Sequence, residues 1–133
     1  MLKQSEIENL TAVFLNYPEI EGVYLFGSAA TGKNHGSSDC DVGIVYNDDT
    51  ITKKKVDLYT DLVKAGFENV DIVFFNDADL VLQFEIIHHN QLIYRTEEFN
   101  HGELFSITVR KYFDIQPLLQ RQRKKIKERI LNG

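Results

Sequence analysis

The chain has 133 residues, a formal charge of −5, a hydrophobic fraction of 43% and a charged fraction of 26%. A chain of this length can bury a substantial core, and its composition argues against disordered, collagen-like and disulfide-scaffold proteins. No apolar run approaches the roughly 18 residues that span a bilayer, and the single cysteine cannot form an internal disulfide, which fits a reducing cytoplasm. We therefore predict one cytoplasmic domain over residues 1–133.

The charge is distributed unevenly along the chain. Residues 110–133 carry eight Lys or Arg and two acidic residues, whereas residues 1–109 carry seven and eighteen, respectively. The acidic body argues against direct nucleic-acid binding across the surface. The basic end is predicted either to pack on its own domain or to dock a partner, and both alternatives stay open at this point.

Hydrophobic spacing predicts helices and strands in alternation. Ser5 and Glu8 form the predicted capping box of the first helix. In chain order the predicted elements are this helix, which ends at Pro18; strands over 23–26 and 41–46; a helix over 51–65; a strand over 70–75; a helix over 80–89; a short edge strand over 92–94; and helices over 97–113 and 118–131, interrupted around Pro117. This order predicts an α/β (α+β) fold, a small mixed sheet with flanking helices, with its core at about 1–95 and C-terminal helices at about 97–133.

A turn follows the first predicted strand at Gly27-Ser28. Glycine tolerates a positive φ angle and lets the backbone approach a ligand closely. Exposed backbone N–H groups and a hydroxyl group at such a turn suit phosphate oxygens. We therefore expect Gly27 and Ser28 to bind phosphate.

Three aspartates accompany the next two predicted strands. Asp39 and Asp41 project from one face, whereas Cys40 projects from the other and is predicted to lie in the core. Asp71 interrupts the apolar run VDIVFF, where a buried charge is costly unless it is paired or bound to metal. Carboxylate oxygens suit Mg²⁺ or Mn²⁺, so Asp39, Asp41 and Asp71 are the predicted metal ligands.

Gly-Ser turns and Asp-x-Asp pairs are each common in solvated turns. Their placement at the ends of two predicted strands, with Asp71 on a third, favours a metal-assisted phosphoryl or nucleotidyl transfer site. Two ions in such a site clamp the attacking and leaving oxygens, and Asp71 is placed to accept the proton of the nucleophile.

Gly27-Ser28, ten further residues and Asp39-x-Asp41 resemble the signature of the DNA polymerase β-like nucleotidyltransferase superfamily. The short chain and early motif resemble its minimal nucleotidyltransferase branch, and the whole chain is similar to MntA-type antitoxins, which are encoded with a HEPN-domain RNase toxin. Family members often carry Ala-Arg-Gly where this chain has Ala30-Thr31-Gly32, with Lys33 nearby.

The resemblance implies that Gly27 and Ser28 hold the triphosphate of ATP and that Asp39 and Asp41 bind Mg²⁺. Asp71 would complete the metal site and help to deprotonate the acceptor. The implied reaction is transfer of AMP from ATP to a tyrosine hydroxyl of the HEPN toxin, which blocks its RNase site. Two alternatives are an antitoxin that acts only by stoichiometric binding, and a nucleotidyltransferase for a small molecule such as an aminoglycoside.

The pair His88-His89 falls at the end of a predicted helix. No third His or Cys stands at zinc-ligand spacing, so we predict a surface pair that compensates the helix dipole and no metal site.

Overall fold

The computed structural model describes residues 2–27 and 40–132. The elements of this part of the chain are helices α1 (Gln4–Phe14), α2 (Lys55–Lys64), α3 (Leu80–His88) and α4 (His101–Asn132), strands β1 (Ile20–Phe26), β2 (Cys40–Tyr46), β3 (Val70–Phe74) and β4 (Gln91–Arg95), and short 3-10 helices at Asp49–Lys54 and Phe75–Asp77. No helix within the described ranges is long and apolar enough to cross a membrane.

The four strands form one mixed sheet in the order β3-β2-β1-β4. β1 pairs antiparallel with β2 and with β4, while β2 and β3 run parallel. A parallel pair needs a crossover connection. The 3-10 helix at Asp49–Lys54 and α2 supply it between β2 and β3. The predicted mixed sheet with flanking helices is therefore confirmed, and β4 is the edge strand that was predicted from Leu92 to Tyr94.

Each face of the sheet carries its own hydrophobic cluster, because the strand side chains alternate between faces. One cluster joins α1 and α2 to the sheet and includes the fully buried Leu10, Phe14, Val23, Ile44 and Leu62. The other joins α3 and the first part of α4 to the opposite face. Its buried members are Tyr24, Phe26, Val45, Phe75, Ile86, Ile87 and Phe99.

Several predicted helix ends are confirmed. The carboxylate of Asp79 accepts a hydrogen bond from the Leu82 N–H at 2.8 Å and caps α3. Gly66 and Asn90 follow α2 and α3 with φ angles of 97° and 55°, the left-handed conformation that ends helices.

The predicted capping box of Ser5 and Glu8 is wrong. α1 begins at Gln4, and the Glu6 carboxylate accepts a hydrogen bond from the Lys3 N–H at 3.2 Å. The helix predicted over 51–65 begins as a 3-10 helix whose first turn is capped by Asp48, which accepts a hydrogen bond from the Thr50 N–H. This hydrogen bond lowers the pKa of Asp48, because it favours the carboxylate form.

The predicted interruption around Pro117 is also wrong, since α4 runs as one helix from His101 to Asn132 through the proline. Proline lacks the N–H that would bond to the carbonyl of Phe113. Phe113 and Pro117 are both exposed, so this side of the helix is open to water, which can hydrogen-bond to the carbonyl instead. From Arg121 to Leu131 every residue of α4 is exposed, so this half of the helix lies outside both hydrophobic clusters.

Gly43 provides a test of how α3 packs on the sheet. A Cβ atom at Gly43 would lie 2.6 Å from the Ile86 Cγ2 atom, and both residues are buried. We expect Gly43→Ala to lower the free energy of unfolding by about 1–3 kcal/mol in urea titrations, because the core would be overpacked. The control is Gly102→Ala, where the nearest atom to a Cβ atom at Gly102 lies 3.7 Å away. That control should be neutral or stabilising by up to about 1 kcal/mol, since alanine favours helix; equal destabilisation by both substitutions would contradict the packing argument.

Candidate active site

Strand pairing places three predicted features at one end of the sheet. Phe26 pairs with Asp41 on β2, and Asp41 pairs with Asp71 on β3. The side chains of paired residues project to the same face of the sheet, and neighbouring strands lie about 4.8 Å apart. The two carboxylates therefore stand side by side where β1 ends and where β2 and β3 begin, on the face covered by α3 and α4.

Gly27 closes this row from the β1 side. Its φ angle is 68°, which strongly favours glycine, and a Cβ atom built on it would overlap the Oδ2 atom of Asp41. The turn thus brings bare backbone against a carboxylate. That Gly27 also binds phosphate stays a prediction.

Burial differs between the two aspartates. Asp41 is half-buried, whereas Asp71 is exposed. The residues before and after Asp71 in the chain, Val70 and Ile72, are buried. The expectation that Asp71 is a charge inside an apolar environment is therefore wrong. β3 is the edge strand beside β2, and the face that carries Asp71 opens to solvent at this end.

Cys40 lies on the opposite face of the sheet from the candidate site. The residue is buried among the side chains of the cluster under α1 and α2, as predicted. Burial, with the neighbouring negative charge of Asp41, raises the pKa of its thiol to about 11. The thiol is therefore protonated at neutral pH and is not a nucleophile for the site.

A hydrogen-bonded chain holds the helices near the carboxylate row, and the sequence carried no signal for it. The Tyr24 hydroxyl lies 2.6 Å from the Nδ1 atom of His101, and the Nε2 atom of His101 lies 2.7 Å from the Asn90 amide oxygen. The Nε2–H group of His101 donates a hydrogen bond to the Asn90 amide oxygen. In a neutral imidazole Nδ1 is then the acceptor, so the Tyr24 hydroxyl donates to it. These two hydrogen bonds join β1, the end of α3 and the start of α4. Tyr24 lies two residues before Phe26 on β1.

The described residues therefore bring together three of the five predicted site residues, namely Gly27, Asp41 and Asp71. Ser28 and Asp39 lie outside the described residues, as does Thr31 at the position of the family's arginine. Two carboxylates on neighbouring strands form a hard-oxygen donor set, which fits Mg²⁺ or Mn²⁺.

Residues 8–99 match the family model for polymerase beta, nucleotidyltransferase. The protein adenylyltransferase MntA of Shewanella oneidensis is 28% identical over 102 residues, which are 76% of this chain and 72% of that protein.

Solved structures share the fold over nearly the whole chain. The crystal structure of a toxin–antitoxin with AMP-PNP contains a chain that is 26% identical, with a TM-score of 0.67 and coverage of 98% of this chain and 99% of that one. A tri-AMPylated Shewanella oneidensis HEPN toxin in complex with an MNT antitoxin contains a chain with 24% identity, a TM-score of 0.64 and the same coverage.

The family match includes β1, β2 and β3, the three strands that form the carboxylate row, and it spans more than half of the chain. The chain belongs to the polymerase beta nucleotidyltransferase family.

Proposed function

We propose that this chain is an antitoxin that transfers AMP from ATP to a tyrosine hydroxyl of a cognate HEPN RNase toxin. The observation that carries the proposal is the row of Asp41 and Asp71 beside the Gly27 turn, on a chain similar over 98% of its length to one from a toxin–antitoxin crystallised with AMP-PNP. We propose a cytoplasmic location, because the single cysteine fits a reducing compartment.

In the proposed mechanism Gly27 and Ser28 hold the triphosphate through backbone N–H groups and the serine hydroxyl. Asp39, Asp41 and Asp71 would hold two Mg²⁺ ions, with Mn²⁺ as an alternative. When bound, these ions neutralise charge on the phosphate oxygens. Asp71 accepts the proton of the tyrosine hydroxyl, whose oxygen bonds to the α-phosphorus as the bond to pyrophosphate breaks.

The exposure of Asp71 favours a protein acceptor. A general base must come within hydrogen-bonding distance of the hydroxyl that it deprotonates. A tyrosine on another protein reaches an open sheet edge more easily than an enclosed pocket, and Asp71 lies on such an edge. This favours the toxin over a small molecule of the aminoglycoside type as the acceptor.

We further propose that the exposed half of α4 docks the toxin. Ile126, Ile130 and Leu131 in this half, and Leu118 just before it, are each more than half exposed, and eight Lys or Arg lie within residues 110–133. An apolar stripe flanked by basic residues fits a hydrophobic groove with an acidic rim. This exposure supports the docking alternative for the basic end over packing on the chain's own domain.

A second candidate, neutralisation by stoichiometric binding, is supported by the same exposed helix. The two are separated by supplying the toxin, Mg²⁺ and ATP labelled at the α-phosphate. Label on the toxin that is lost in Asp41→Ala supports the enzyme. An unlabelled toxin that Asp41→Ala still neutralises in cells would establish the binding mode and sink the proposed reaction.

Asp71→Asn tests the proton acceptor. We expect the rate of AMP transfer to fall about 100-fold or more, because an amide cannot take up the proton of the acceptor hydroxyl. ATP binding, measured by calorimetry, should change much less. The control Asp57→Asn, at an exposed position of α2, should transfer AMP at the normal rate. A normal rate in Asp71→Asn would remove Asp71 from the mechanism.

Gly27→Ala tests the close approach of the turn to Asp41. The left-handed backbone should cost about 1–2 kcal/mol of stability, and the added methyl group should displace the Asp41 carboxylate and abolish transfer. Gly66→Ala is the matched control, because Gly66 also has a positive φ angle but no atom within 4 Å of its Cβ position. We expect this control to lose stability in urea titrations and to retain transfer; equal activities would contradict the proposed contact.

The docking role of α4 is tested by the double variant Ile126→Glu/Ile130→Glu. Both residues are exposed and lie one turn apart, so the fold should survive while the affinity for the toxin falls about tenfold or more. Circular dichroism checks the fold and calorimetry the affinity. The matched control is Val56→Glu/Val63→Glu on α2, whose side chains are 76% and 50% exposed. Equal affinity in both double variants would place the interface elsewhere.

A further inference from the structure

A group of side chains at the end of α3 has metal-ligand chemistry. Glu85, His88 and His89 each offer one ligand atom within 4.8 Å of the others, and within the described residues they are the one such group of three. The Oε1 atom of Glu85 lies 3.2 Å from the Nε2 atom of His89, and its Oε2 atom lies 3.9 Å from the Nδ1 atom of His88. Glu85 is thus a third potential ligand beside the two histidines. The sequence offered no third His or Cys at zinc-ligand spacing and so did not indicate it.

The surroundings of this group favour a cation. His88 is the last residue of α3 and His89 is its C-cap, so both rings lie at the negative end of the helix dipole. Glu85 adds a full negative charge, and the helix spacing of three and four residues brings its carboxylate to the same side as both rings.

The His88 ring is also oriented before any ion binds. It stacks on Phe84 with ring centres 5.2 Å apart and planes 8° apart, and Phe84 stacks on Tyr112 of α4 at 3.9 Å and 7°. Contacts that fix the orientation of a ligand ring raise metal affinity. The His88 Nδ1 atom lies 3.2 Å from the Glu85 carbonyl oxygen, so a metal bond there would replace this contact and leave the proton on Nε2.

We propose that Glu85, His88 and His89 form a binding site for a divalent transition-metal ion of the zinc class. Imidazole nitrogens suit zinc, nickel and copper, whereas Mg²⁺ prefers oxygen ligands, so this site and the carboxylate row select different ions. Ligand atoms of a tetrahedral zinc ion lie roughly 3.4 Å apart for bonds of about 2.1 Å, close to the separations of 3.2 Å and 3.9 Å between Glu85 and the two histidines. Three protein ligands leave a position open for water or for a side chain of a partner.

The test is calorimetric titration of the full chain with ZnCl₂ in an Asp41→Asn/Asp71→Asn background, which weakens zinc binding at the carboxylate row. We expect one zinc ion to bind at this group, and His88→Ala or His89→Ala in that background to weaken binding at least about tenfold. MgCl₂ should not compete. Circular dichroism without metal confirms that each variant folds.

A matched pair of glutamate variants gives a second arm in the otherwise unsubstituted chain, with excess Mg²⁺ present. Glu85→Gln should weaken zinc binding, while Glu103→Gln, at an exposed position in the first turn of α4, should not. Identical zinc isotherms for the background and for both histidine variants, or for the two glutamine variants, would overturn the proposal.

Discussion

The parallel pairing of β2 with β3 is the constraint on which the carboxylate row depends. Its register sets Asp41 beside Asp71 and carries both side chains to one face of the sheet. A slip of one residue would turn Asp71 toward the cluster under α1 and α2 and separate the carboxylates. The crossover through α2 helps to hold this register, because the Tyr59 hydroxyl of α2 accepts a hydrogen bond from the Ile72 N–H next to Asp71 at 3.0 Å.

Two neighbouring carboxylates repel each other, and the fold keeps them near the edge of the sheet, where water screens the repulsion. The rest of this face is covered by α3 and α4. Gly43 lies two residues after Asp41 on the same face, and its missing side chain lets Ile86 of α3 approach the sheet closely. The Tyr24–His101–Asn90 contact then ties both helices to β1. The proposed site thus lies beside a packed sheet face, with Asp71 exposed to the proposed acceptor.

The long helix α4 has two parts with different surroundings. Its first turns pack on α3 and the sheet, with Thr108 buried, whereas residues 121–131 are exposed throughout. The continuity of the helix through Pro117 makes the exposed half an extension of the body. The proposed docking surface therefore belongs to the same helix whose first residue, His101, contacts Tyr24.

Local chemistry in the sequence determined the order of the four strands, both ends of α3 and the residue types of the candidate site. Gly27 was identifiable because glycine suits a turn that brings the backbone close to a ligand, and Asp41 and Asp71 because a charge is unfavourable at a strand position. Three things depended on the tertiary structure. Asp71 is exposed because it lies on an edge strand, α4 continues through Pro117 at a point where Phe113 and Pro117 are both exposed, and Glu85 joins His88 and His89 because side-chain directions bring them together. Each is set by how elements pack, and sequence spacing alone does not contain that information.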